Sequence, residues 1–199
     1  MRDGIKMTPT KGTLKLEFNA VYEGDIVNGK PHGKGKKTYE YGEVYEGDFV
    51  DGKQTGKGKM TYSEGEVYEG CFVDGMRHGQ GKYTFSNGDT YGGSWVNNEP
   101  HGKGKFTTAS GGVSEGKWVN GKQKGKGKFT FSYGDVYEGN FDGSFNGKGK
   151  YTFANGNVYE GDFPRGNITG EGKMTYADGT VKEGVWCKGE YICKLKKIF

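Results

Sequence analysis

Five segments of alternating glycine and lysine are the first residues here whose types and spacing could do chemistry: Gly33–Lys36, Gly56–Lys59, Gly102–Lys105, Gly125–Lys128 and Gly147–Lys150. They look superficially like phosphate-cradling loops. Such a loop needs a glycine turn between a strand and a helix, so that backbone amides and the helix N-terminus converge on the anion. Here each segment alternates with the period of a strand and no helical pattern follows, so nucleotide binding is not expected. His32, His78 and His101 share one repeat position, expected to be a turn, and lie on separate units with no recurring carboxylate at ligand spacing; no metal site is expected. Cys71, Cys187 and Cys193 lack Cys-x-x-Cys spacing and read as reduced cytosolic thiols. No serine has a general-base partner identifiable in the sequence. The expectation is a non-enzyme without a cofactor.

The elements that carry these residues are copies of one unit. Tyr22-Glu23-Gly24 returns at Tyr45, Tyr68, Tyr91, Ser114, Tyr137, Tyr159 and Lys182, in full or altered form, at intervals of 22 or 23 residues. A fixed period of that length marks a small structural unit stacked on its own copies. Within one copy, 44–50 and 56–62 alternate with period two around an Asp51-Gly52 turn signal, which predicts a β-hairpin. Strand alternation puts Tyr45, Gly47, Phe49, Gly56, Gly58, Met60 and Tyr62 on one face and Glu46, Asp48, Lys57, Lys59 and Thr61 on the other. Acidic first strands should face lysine-bearing second strands, with Asp25 opposite Lys34 or Lys36.

The predicted fold is therefore all-β: an elongated single-layer antiparallel ribbon of stacked hairpins. It forms a single repeat domain over 1–199, with an N-terminal half-repeat cap at 1–20, seven hairpins over 21–180 and a C-terminal cap at 181–199. In that last cap Cys193–Phe199 is expected to return against Val181–Trp186. Forty Gly and three Leu in 199 residues would ordinarily signal disorder. Fourteen Tyr, twelve Phe and three Trp at set places in each copy argue for packing instead, since each ring can bury roughly 150–250 Å². A net charge of +4 from well-mixed charges speaks against a nucleic-acid binder. No apolar run nears the ~20 residues of a membrane span, and the start lacks a signal-peptide core, so a cytoplasmic location is expected.

These residues resemble the membrane occupation and recognition nexus (MORN) repeat, Tyr-Glu-Gly-x-aromatic-x-x-Gly-x-x-x-Gly-x-Gly, over about residues 12–190. Val21–Gly35, Val44–Gly58, Val67–Gly81 and Val136–Gly149 carry the closest copies, the last one residue short. The resemblance implies a rod or shallow trough of hairpins that holds other proteins at membranes or on cytoskeletal structures, with phosphoinositide binding in some members. Lipid kinase or methyltransferase domains accompany the repeats in a few relatives; the repeats leave no room for one in this chain.

The expected function is a non-catalytic scaffold that binds a peptide or amphipathic helix along an aromatic and glycine groove. Its candidate contact rings are Tyr45, Phe49, Tyr68, Phe72, Tyr91, Trp95, Trp118, Tyr137, Phe141, Tyr159 and Phe163. Thr108 and Ser114 replace aromatics on either side of Gly111-Gly112 and are candidates for a notch in that face. The alternative is a peripheral adaptor for anionic phospholipids, using Lys117, Lys122, Lys124, Lys126 and Lys128 with Lys194, Lys196 and Lys197 of the tail. Homodimerisation through the terminal strands is a further expectation.

Overall fold

The computed structural model describes residues 8–194. The hairpins of the first five repeats follow from a two-residue turn and a glycine bulge, while Val158–Asp162 and Gly170–Thr175 are joined by a longer connection. At Asp51-Gly52 both residues have positive φ, 48° and 87°, the type I′ geometry whose twist matches a right-handed hairpin. Asn28-Gly29, Asp74-Gly75 and Asn120-Gly121 repeat it. The strand resumes directly after the turn, so His32, His78 and His101 sit third in second strands rather than in turns.

The first glycine of each glycine–lysine segment is the bulge residue. Gly33, Gly56, Gly102, Gly125 and Gly147 have φ between 59° and 74°, a left-handed conformation that costs glycine nothing. The suspected phosphate loops are thus strands with one extra residue.

The chain divides into two compact units, 1–99 and 100–199. The first contains β1 (Thr10–Lys15), β2 (Val21–Val27), β3 (Lys30–Thr38), β4 (Val44–Val50), β5 (Lys53–Thr61), β6 (Val67–Val73), β7 (Met76–Thr84) and β8 (Thr90–Val96). Each strand pairs antiparallel with the next in chain order. The second follows the same rule with β9 (Glu99–Thr107), β10 (Val113–Val119), β11 (Lys122–Thr130), β12 (Val136–Asp142), β13 (Phe145–Thr152), β14 (Val158–Asp162), β15 (Gly170–Thr175), β16 (Val181–Cys187) and β17 (Glu190–Cys193). The chain is all-β, single-layered and built of antiparallel hairpins; among the described residues the only helical turn is a short 3₁₀ segment, Pro164–Gly166.

Two expectations need correction. The return strand of the C-terminal cap is β17, which begins at Glu190 because the Lys188-Gly189 turn lets the chain reverse there; residues 195–199 of the expected return lie outside the described residues. Asp25 does not pair with the Lys34 or Lys36 ammonium. The bulge after Gly24 lifts it out of the ladder; its carboxylate accepts from the backbone N–H of Lys34 at 3.3 Å and pairs with Lys11 at 3.2 Å. Lys34 reaches forward to Asp48 of the next hairpin at 2.6 Å. Lys36–Glu46, Lys59–Glu69 and Lys128–Glu138 do likewise, so these exposed pairs tie successive hairpins together rather than closing single ones.

Candidate partner-binding face

The unit of the aromatic face is one tyrosine lying across two glycines. Gly47 and Gly58 are in register, and a Cβ added to Gly47 would stand 2.6 Å from both the Tyr45 hydroxyl and the Gly58 Cα. Only hydrogen at these positions leaves room for the ring. The Tyr45 hydroxyl donates to the Asp48 carbonyl at 3.1 Å, with the Thr55 carbonyl 3.3 Å away, and so closes the bulge. Tyr22, Tyr68, Tyr91 and Tyr137 donate to the equivalent carbonyls of Asp25, Cys71, Ser94 and Asn140.

These tyrosines alternate with the aromatic four residues on to make a zigzag. In the first unit it runs Tyr22–Phe49–Tyr45–Phe72–Tyr68–Trp95–Tyr91, with centroids 4.9–5.2 Å apart and rings edge to face. That is the geometry aromatic quadrupoles favour. The second unit repeats it from Phe141 through Tyr137, Phe163 and Tyr159 to Trp186.

Burial separates the candidate rings into two populations. Tyr45, Phe49, Tyr68, Phe72, Tyr91, Trp95, Tyr137, Phe141, Tyr159 and Phe163 are at most 6% exposed, so they form the core beneath the face and leave its outer contacts to others. Part of their cover comes from the start of the second strand: the Arg77 guanidinium lies 4.8 Å from the Trp95 ring and 4.9 Å from that of Tyr83, and Phe145 stacks on Tyr137 at 4.0 Å. The outer layer is a row of half-buried rings at second-strand ends, Tyr39, Tyr62, Phe85, Phe131, Phe153 and Tyr176. Strand alternation placed this row on the aromatic face, as at Tyr62, but the candidate contact rings left it out; its signal is an aromatic two residues beyond the Met60 or Tyr83 position.

Trp118 stands apart. It is half-buried where its counterparts Phe49, Phe72, Trp95, Phe141, Phe163 and Trp186 are buried. The tyrosine that would pack on it is Ser114, whose hydroxyl meets the Gln123 side-chain amide instead. The Gln123 amide nitrogen donates to the Glu115 carbonyl at 3.1 Å and lies over Gly116 and Gly127, the pair a tyrosine ring would cover. The smaller filling leaves a cavity of about 270 Å³ bordered by Phe106, Trp118, Phe129, Phe141 and Phe145. Thr108 does not line it. Its hydroxyl accepts from the Gly112 N–H at 2.8 Å and holds the hairpin connection, whose backbone bonds match those at Tyr62 and Phe131.

The paired changes at Gly112 and Phe129 are consistent with this. In repeats three and six a carboxylate at the end of the connection accepts from a tyrosine on the second strand of the following hairpin, Glu66 from Tyr83 at 2.5 Å and Asp135 from Tyr151 at 2.6 Å. In repeat five the acid is Gly112 and the hydroxyl is gone at Phe129, so neither is left wanting a partner.

The MORN repeat pattern matches residues 22–42, 45–67, 68–90, 91–113, 115–136, 137–158 and 159–181, most of the chain. The chain belongs to the MORN-repeat family. Comparison with curated proteins found no match to this MORN-repeat chain. Among solved structures, the TCP10 domain of Danio rerio CPAP in complex with a STIL peptide aligns over 87% of this chain and 83% of its own, at 15% identity and a TM-score of 0.50. The Drosophila melanogaster SAS-4 TCP domain, in complex with a proline-rich motif of Ana2, aligns over 91% and 96% at 14% identity and a TM-score of 0.48. At such identities the likeness is one of fold.

Of the candidate lysines, Lys126 lines the charged face and Lys122 borders the aromatic recess. Lys124 pairs with Asp142, and Lys128 with Glu138 at 3.7 Å. Lys117, Lys122 and Lys126 are exposed and Lys194 follows β17; Lys196 and Lys197 lie outside the described residues.

Proposed function

We propose that this MORN-repeat chain is a non-catalytic scaffold that seats a protein segment, a peptide or an amphipathic helix, on the aromatic face of its second unit. Ser114 and Trp118 define the anchor. The observation that carries this reading is the 270 Å³ cavity at the one described repeat in which serine stands for tyrosine, because it leaves a tryptophan accessible beside four phenylalanines. Apolar side chains of a partner fit such a recess, and stiff aromatic walls contribute contact area at low entropic cost. The buried rings, from Tyr45 to Phe163, hold the wall in shape. That the CPAP domain of like fold is in complex with a peptide is consistent with this use of a single-layer sheet. The setting proposed is a cytoplasmic assembly at the cytoskeleton or a membrane.

Affinity capture with the whole chain tests the reading. Ser114→Tyr, which fills the recess, and Trp118→Ala should each remove a captured partner, while charge reversal of Lys124 and Lys126, which do not line it, should leave it bound. Capture indifferent to the first two changes would overturn the proposal. Salt-sensitive binding to phosphoinositide vesicles, lost on the lysine reversals, would favour the lipid adaptor instead.

A further inference from the structure

The charged face of the second unit carries a second recess, an open trough of about 740 Å³ whose floor is the backbone of Gly127, Gly139, Gly149, Gly161 and Gly172. These glycines leave no side chain in the trough because their one substituent direction, on the other face, is taken by Tyr137, Tyr159 and Gln123. One wall alternates in sign: Glu138, Lys150, Glu160, Lys173 and Glu183 face each other in unbroken register. Such a wall carries one net negative charge over its length.

The other wall is graded. It begins at Lys126, opposite Asn140, and just beyond that end of the trough Lys103 stands opposite Lys117 and Lys117 opposite Lys124. Further on, Lys148 pairs with Asp162 at 3.0 Å, and Glu171 follows. Like charges placed directly across a sheet are destabilising. Lys103, Lys117 and Lys126 have no ion pair among the described residues.

The bulge shows what the basic end lacks. In repeats one, two and seven an aspartate accepts from the backbone N–H of the residue after the bulge glycine: Asp25 from Lys34 at 3.3 Å, Asp48 from Lys57 at 3.2 Å and Asp162 from Glu171 at 3.2 Å. Lys117 holds that position in repeat five, beside the Lys126 N–H, and an ammonium cannot accept. A carboxylate from outside would restore the missing acceptor and neutralise the row of lysines at once.

We infer that this trough docks an extended protein segment, its acidic residues over β10–β11 and its basic residues over β15–β16. The five strand spacings from β11 to β16 cover about 24 Å, the reach of roughly seven extended residues. A uniformly anionic partner such as a lipid surface fits poorly, since Glu171 and Glu183 repel it at the far end. This surface is independent of the aromatic recess on the opposite face.

Fluorescence anisotropy with the whole chain and labelled Glu-Glu-Glu-Gly-Lys-Lys-Lys tests it, beside an all-glutamate peptide and phosphatidylserine vesicles. The mixed-charge peptide should bind in a salt-sensitive manner and tighter than either comparator. Lys117→Asp installs the residue that repeats one, two and seven carry there and so leaves the fold intact, yet should weaken binding at least about fivefold. Glu171→Lys with Glu183→Lys should weaken it from the other end, and Ser114→Tyr should leave it unchanged. No binding, binding untouched by Lys117→Asp, or preference for the all-glutamate peptide or the vesicles would overturn the inference.

Discussion

The Ser114 hydroxyl meets the side chain of Gln123 in the volume that a tyrosine ring fills in six other repeats. One substitution thereby breaks the aromatic zigzag, exposes Trp118 and opens a recess, while the strands around it keep their pairing.

Ser114→Tyr should rejoin the zigzag. Gln54 holds the equivalent place in the repeat that keeps Tyr45, opposite Phe49 with its amide donating to the Tyr39 hydroxyl, so Gln123 is compatible with a tyrosine at 114. A restored edge-to-face pair contributes about 1 kcal/mol, and urea denaturation should show the midpoint rising. A fall would mean that the ring cannot displace the Gln123 amide from the glycine pair.

The two glycines beneath each tyrosine differ in kind from glycines elsewhere. Gly47→Ala would push a methyl against the Tyr45 hydroxyl and against backbone at Gly58, and should cost about 1–3 kcal/mol. Gly92, around which a Cβ meets nothing within 4 Å, should accept alanine with a change of about 0.5 kcal/mol or less. Equal losses from the two substitutions would contradict the ring-over-glycine packing.

Alkaline stability should follow the buried tyrosines. Burial raises the Tyr45, Tyr68, Tyr83 and Tyr151 hydroxyls above their ordinary value near 10, and pushes Tyr91 up to about 12. The unfolded chain therefore loses these protons first. Their contribution to stability is complete below pH ~10 and declines as pH rises through the folded-state values. Tyrosinate absorbance and circular dichroism followed upward from pH 8 should show the buried rings ionising only together with loss of the sheet. A single titration near pH 10 with the sheet intact would refute the burial.

Arg77 covers Tyr83 and Trp95 with its guanidinium, and its terminal nitrogen donates to the Asn98 carbonyl at 2.8 Å. Arg77→Ala should destabilise the chain by about 1–2 kcal/mol through lost stacking and cover. Arg77→Gln should cost less, because glutamine fills this position at Gln54 and Gln123. Identical losses would assign the effect to charge alone.

Much of the fold was legible in the residues themselves. Strand alternation is strictly local, so Tyr45, Gly47 and Phe49 had to share a face once they lay in one strand. The turn dipeptide at Asp51-Gly52 likewise fixed the hairpin, because few residues adopt its two positive φ angles. The recurrence of the motif then set how many times the arrangement is built.

Tertiary structure decided which rings are covered, since burial depends on neighbours from three strands rather than on alternation. Nothing local distinguishes buried Tyr45 from half-buried Tyr62. It decided too that Thr108 serves a turn while Ser114 borders a recess. A single-residue bulge, invisible as a break in the pattern, redirected Asp25 from the lysine ammonium expected across the hairpin to a backbone N–H and Lys11. Sequence specifies what each position prefers to touch; only the register of assembled strands determines what stands within reach.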